Sequence, residues 1–91
     1  MQIRLTPAAL ADLQHINYYR KEHHPRYRQP TMRKLYESVS AVKQWPQRGR
    51  RGREDGTREL PFSPLPYVAV YRVTAESVEV VRIYHSAQDR P

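Results

Sequence analysis

Tyr67-Val68-Ala69-Val70-Tyr71-Arg72-Val73 and Ser77-Val78-Glu79-Val80-Val81-Arg82-Ile83-Tyr84-His85, joined by Thr74-Ala75-Glu76, decide the fold. In the first run Tyr67, Ala69, Tyr71 and Val73 alternate with Val68, Val70 and Arg72, the period of two that puts side chains on opposite faces of a strand. The second run places Val78 and Val80 on one face and Val81 and Ile83 on the other, which predicts a strand central in its sheet. Upstream, Thr57 to Phe62 is a candidate strand. Ser63-Pro64-Leu65-Pro66 between them is a turn, because its prolines cannot donate to a ladder.

Further upstream the period changes. Gln47 to Gly56 reads as a polar loop, with Arg48, Arg50, Arg51 and Arg53 and the three glycines of the chain. Before it, Met32, Leu35, Val39 and Val42 form the narrow apolar seam that two antiparallel helices share, which predicts a helix following Pro30-Thr31 and ending at Trp45-Pro46. An earlier helix starts at Thr6-Pro7, where the threonine oxygen accepts a first-turn amide and proline has no N–H to lose. Ala9, Leu13 and Ile16 repeat on one face of it, with Leu10 widening the stripe. Leu10, Leu13, Met32, Leu35 and Val39 are expected to hold the two helices together. Arg20 and Lys21 lie toward the negative end of the first helix, which should stop at Glu22-His23-His24-Pro25, since a residue before proline disfavours the α region. The opening Gln2-Ile3-Arg4-Leu5 alternates as a short strand. The expected order is β-α-α-β-β-β, an α+β fold with a helical hairpin packed on a small, mostly antiparallel sheet, in a single domain spanning 1–91.

Composition narrows the function. Sixteen Lys and Arg against nine Asp and Glu give a net charge of +7, so a polyanion or an acidic protein is the expected partner. There is no cysteine, which excludes a disulfide scaffold and thiolate metal sites and makes the cytoplasm the expected location. No apolar run reaches the roughly 18 residues of a membrane span, so no membrane role is expected.

The candidate chemistry is sparse. His23-His24 beside Pro25 read more simply as solvated loop histidines than as metal ligands, His15 as a surface residue, and no His-Glu-x-x-His or Cys-x-x-Cys spacing is present. Neither a metal nor a cofactor is expected. Gly49-Arg50-Arg51-Gly52 lacks the Lys-Ser or Lys-Thr of a phosphate-binding loop, and there is no Gly-x-Ser-x-Gly. His85 at the end of the last strand is able either to move a proton near neutral pH or to fix the tail by bonding nearby backbone. Arg58, Arg72 and Arg82 each project from a different strand, and on one face they would bind phosphates or acidic groups in forked geometry.

Gly56-Thr57-Arg58-Glu59-Leu60, Pro66-Tyr67-Val68-Ala69-Val70-Tyr71-Arg72-Val73 and Val78-Glu79-Val80-Val81-Arg82-Ile83-Tyr84-His85-Ser86-Ala87-Gln88-Asp89 together resemble the RelE/ParE superfamily of toxins from type II toxin–antitoxin systems. The N-terminal strand, helical hairpin and basic loop extend the resemblance to essentially the whole chain. It implies one of two activities: ribosome-dependent cleavage of mRNA in RelE-like members, or binding and poisoning of DNA gyrase in ParE-like members. Many RelE-like ribonucleases carry an arginine where this chain has Val68, and several carry paired lysines where it offers only Arg58. As a ribonuclease the chain would have to rely on His85, Tyr84, Arg58 and Arg72. The resemblance is therefore closer to the ParE-like branch, and it leans away from an enzyme. It implies an acidic antitoxin as partner and DNA gyrase as target, or alternatively ribosome and mRNA. Arg50, Arg51, Arg58, Arg72, Arg82 and His85 are the expected antitoxin- or target-binding residues. A basic nucleic-acid-binding module without toxicity is a third class.

Overall fold

The computed structural model describes residues 1–87. Strand β1 (Gln2–Leu5) leads into helix α1 (Pro7–His23) and helix α2 (Pro25–Ala41), which runs on into a short 3₁₀ turn (Val42–Gln44). Strands β2 (Arg50–Arg51), β3 (Arg58–Pro61), β4 (Tyr67–Val73) and β5 (Ser77–His85) complete a five-stranded sheet in the order β1-β5-β4-β3-β2. Its pairings are antiparallel except that of β1 with β5, which is parallel. The architecture is thus α+β, two helices on one mixed sheet, with β4 and β5 matching the sequence reading residue for residue.

Three local differences have physical causes. First, α2 begins at Pro25 and carries Pro30 inside it, instead of starting after Pro30. Proline suits a first helical position, and His24 alone separates the helices: its N–H donates to the Arg20 carbonyl and its own carbonyl accepts from Tyr27. Second, Arg50–Arg51 pair with Glu59 and Arg58 as an edge strand inside the expected loop. A two-residue strand leaves too little pattern to read. Third, Leu10 is exposed, so the buried stripe of α1 is Ala9 and Leu13 with Ile16 partly covered.

The core lies between the helices and one face of the sheet. Leu13 and Leu35 pack there with Ala69, Tyr71, Val78, Val80 and Ile83. Each fully buried leucine contributes roughly 2 kcal/mol. On β5 the buried positions change phase, from Val78 and Val80 to Ile83. The register shows why: Tyr71 faces Val80 while Val70 faces Arg82, so Val81 is an extra residue, a β-bulge. The second apolar face inferred for β5 arises partly from this slip.

The loop before β2 is anchored from below. The buried Tyr71 hydroxyl donates to the Pro46 carbonyl (2.8 Å) and accepts from the Gly49 amide (2.9 Å). Gly49 is required by close approach, since a Cβ there would lie 2.5 Å from that hydroxyl. Arg58 donates to the carbonyls of Gln47 (3.2 Å) and Gly49 (2.8 Å). Tyr71→Phe removes both hydroxyl bonds and leaves a buried amide without a partner, a loss of about 1–3 kcal/mol. Its thermal midpoint is expected to fall by about 10 °C; a melting curve superimposable on that of the parent would show that the hydroxyl does not anchor the loop.

Candidate functional site

β1 ends at Leu5 opposite Val80, but β5 continues to His85. Beyond that point α1 serves the exposed strand edge. The Thr6 amide donates to the Val80 carbonyl (3.0 Å). The Thr6 hydroxyl donates to the Val81 carbonyl (2.7 Å) and accepts from Ala9 N–H (3.1 Å), so the helix cap is also a strand contact. One turn further along, Asp12 accepts from the Ile83 amide (2.8 Å) and from Arg82 through both Nε (2.8 Å) and Nη2 (3.0 Å). This forked, charge-assisted pair holds the Arg82 guanidinium above its ordinary pKa, chiefly through the hydrogen bond and then through the charge of Asp12, against a smaller opposing desolvation. Because the folded value is raised, the stabilisation from Arg82 is fully present below the ordinary arginine value, so long as Asp12 carries its charge, and is lost as pH rises through the folded one.

The second half of α1 then diverges from the end of β5 and leaves an open groove of about 790 Å³. All four histidines, Tyr19, Arg20, Tyr67, Arg82 and Tyr84 line it. Tyr67 is buried at its base, with the His85 ring edge-on at 5.6 Å and the Arg20 guanidinium 6.0 Å from its ring centre. Arg20 Nη2 donates to the Tyr67 hydroxyl (3.4 Å), while the buried Arg20 Nε–H has no acceptor among the described residues. His85 Nδ1 accepts from the Ala87 amide (3.1 Å), which ties the ring to the chain that follows. No three His, Asp or Glu among the described residues are placed to hold a metal ion. Gln88 and Asp89 of the C-terminal pattern lie outside the described residues.

The arginines expected to converge do not. Arg58 is registered opposite Tyr71, on the helix side of the sheet, whereas Arg72 and Arg82 face Glu79 and Val70 on the other side. Arg82 curls round the β5 edge to Asp12. Arg72 makes a loose, exposed pair with Glu79 at 3.6 Å, worth under about 1 kcal/mol. Arg50 reaches Glu59 at 3.3 Å, and Tyr84 donates to the same carboxylate oxygen (3.3 Å). Glu59 is buried, so this contact organises the face away from the helices. Arg51 is exposed beside Arg58. Val68 is buried, opposite Pro61 and Tyr84.

Arg20, Tyr67 and Asp12 are the groove residues that the sequence reading passed over. Arg20 looked like a helix-end charge and Tyr67 like one member of an alternating strand. The available clue was Arg20 one helical turn beyond Ile16 on the buried stripe.

The family model for the ParE toxin of the type II toxin–antitoxin system parDE matches residues 3–90. The chain belongs to the ParE toxin family. A Sinorhizobium fredii protein described as "Putative toxin Y4kP" is 32% identical over 90 residues, covering 99% of this chain and 93% of that protein. Among solved structures, the chromosomal ParDE TA system from P. aeruginosa superposes with a TM-score of 0.82 at 26% identity, over 93% of this chain and 95% of that one. A YoeB/ParE toxin from Agrobacterium tumefaciens shares the fold, with a TM-score of 0.61 at 17% identity over 93% and 98% of the two chains.

This ParE-family chain is therefore a toxin of a type II toxin–antitoxin system, with the two-helix, mixed-sheet architecture of its structural neighbours. Its groove depends on Asp12 to hold α1 against β5. Asp12→Ala removes three charge-assisted acceptor contacts and leaves the Ile83 amide unsatisfied, a loss of about 2 kcal/mol. The thermal midpoint is expected to drop by roughly 10 °C, and Asp12→Asn, which keeps an acceptor oxygen, should recover part of it. Equal midpoints for all three proteins would show that the strand edge needs no acidic partner.

Proposed function

We propose that this toxin acts by binding and poisoning DNA gyrase in the cytoplasm and is held inactive by a cognate antitoxin whose toxin-binding segment is acidic. One observation carries the reading: the cations that a ribonuclease would direct at a phosphate do not converge on one face of the sheet. Arg58 serves loop carbonyls, Arg82 serves Asp12, and Arg72 leans on Glu79. Cleavage of RNA by its 2′-hydroxyl needs fixed positive charge on the developing phosphorane and groups that exchange protons. Val68 supplies neither. A gyrase poison needs only a stable docking surface, and the family match and the ParDE neighbour support that branch.

The groove suits the antitoxin. Arg20 lies half-buried beside exposed tyrosine and histidine rings, its buried Nε–H without an acceptor among the described residues. A carboxylate of an acidic segment would pair with the half-buried Arg20 guanidinium, and the +7 chain would attract such a segment from a distance. His85, Arg50, Arg51, Arg72 and Arg82 are proposed as further contacts with antitoxin or target.

A ribosome-dependent endonuclease is the second reading. It is favoured by His85, whose ring lies at the groove against Tyr67, although the Tyr84 hydroxyl turns to Glu59 on the opposite face. In a supercoiling reaction the purified toxin is expected to inhibit gyrase or trap cleaved DNA, and with translating ribosomes it is expected to leave mRNA intact. Codon-dependent mRNA cleavage that His85→Ala abolishes, with gyrase unaffected, would replace the first reading by the second. Expression without antitoxin is expected to arrest bacterial growth, and Arg20→Ala should weaken antitoxin binding about tenfold or more through loss of a charge-assisted contact. Unchanged antitoxin affinity in that variant would remove Arg20 from the interface.

A further inference from the structure

Sharing no residue with the groove, three shallow hollows adjoin one another from the second half of α2 across the loop after it to the β2–β3 connection. The first is lined by Arg33, Tyr36 and Lys43 and reaches Gln44. Gln44 also borders the second, which holds Trp45 and Arg48 and reaches Gln47. Gln47 borders the third, where Arg51 lies. Apart from Arg58, which borders the third hollow but is bonded to the Gln47 and Gly49 carbonyls, two aromatic rings thus stand among four cations, against Glu37 in the first hollow and Asp55 in the third. None of the four cations is paired with a carboxylate among the described residues, unlike Arg50, Arg72 and Arg82.

Trp45 is the decisive residue. It is the chain's one tryptophan, and at 67% exposure it is the most exposed large apolar side chain among the described residues. Leaving such a ring in water forgoes a burial gain of a few kcal/mol, so its position calls for another explanation. The ring is not on a loose loop. The Arg48 amide donates to the Trp45 carbonyl (3.0 Å), and the backbone from Pro46 to Gly49 is fixed by Tyr71 and Arg58. A rigid base that presents aromatic faces between unpaired cations has the composition of a platform for a nucleic-acid strand. Rings stack on unpaired bases whatever their identity, and the cations follow the phosphates.

We infer that the Tyr36–Trp45 track, with Arg33, Lys43, Arg48 and Arg51, binds a single-stranded or locally unpaired nucleic-acid strand by stacking and phosphate contact. The inference goes beyond the proposed target, because it rests on this surface alone. A protein hot spot would also use tryptophan and arginine, but four unpaired cations against two carboxylates favour a polyanion.

The test uses the purified chain with short oligo(dT) and oligo(U) and no gyrase, so its outcome does not depend on the gyrase reading. Saturable quenching of Trp45 fluorescence by either oligonucleotide is expected, with affinity falling as salt rises. Lys43→Ala with Arg48→Ala keeps the reporter and should flatten the salt slope by about 1.4, roughly 0.7 per lost phosphate contact on a single strand. Trp45→Ala, followed by anisotropy of a labelled oligonucleotide, should bind about tenfold more weakly. Both variants alter exposed side chains, and an unchanged melting temperature verifies folding. Trp45 emission that stays constant at saturation, or parental affinity in both variants, overturns the inference. Quenching by purified gyrase alone, with no response to either oligonucleotide, assigns the track to a protein instead and overturns it as well.

Discussion

The structure depends on a strand edge that its neighbour strand leaves unfinished. β1 covers β5 only as far as Val80, and the polar backbone beyond must find partners or be left at a cost of about 1–3 kcal/mol for each buried group. Thr6 and Asp12 supply them from α1. The position of the helix therefore follows from hydrogen bonding as much as from apolar packing, which on α1 is thin: Ala9 and Leu13 are its buried residues. Once α1 is fixed near its start, its far half and the end of β5 enclose the groove.

The positive charge divides into two populations with different physical roles. Arg58 and Arg82 make hydrogen bonds that hold a loop and a strand edge in place, and their charge is largely spent inside the molecule. Arg50 and Arg72 meet carboxylates across strands. Arg20 is intermediate, buried along part of its length and still holding a donor without an acceptor among the described residues. Arg33, Lys43, Arg48 and Arg51, along α2 and the following loop, face solvent. The net charge of +7 thus describes the surface that a partner meets better than it describes any one site, and long-range attraction requires no convergence of particular arginines.

The bulge at Val81 links fold and site. By inserting one residue it turns Ile83 toward the core where strict alternation would have exposed it, and it points Arg82 and Tyr84 to the other side. Tyr84 then meets Glu59, and Arg82 is placed where it can fold back to Asp12. The pair Val80-Val81 was visible in the sequence as apolar residues on both faces. A central strand and a phase slip produce the same local pattern, and the register between the two chains of the ladder distinguishes them.

What the sequence determined by itself was whatever depends on local periodicity and stereochemistry. The limits of β4 and β5, the Thr6 cap with Pro7 behind it, and the end of α1 ahead of Pro25 are set by neighbours a few residues away, and all were legible. The extended pattern of the C-terminal half also carried the family resemblance. The partners of long side chains were decided by tertiary structure alone. Arg82 and Asp12 are 70 residues apart in the chain, Arg20 meets Tyr67 across 47, and whether Arg58 shares a face with Arg72 depends on register. A flexible guanidinium can reach in several directions from its Cα, so only the assembled sheet and helices settle which acceptor it finds.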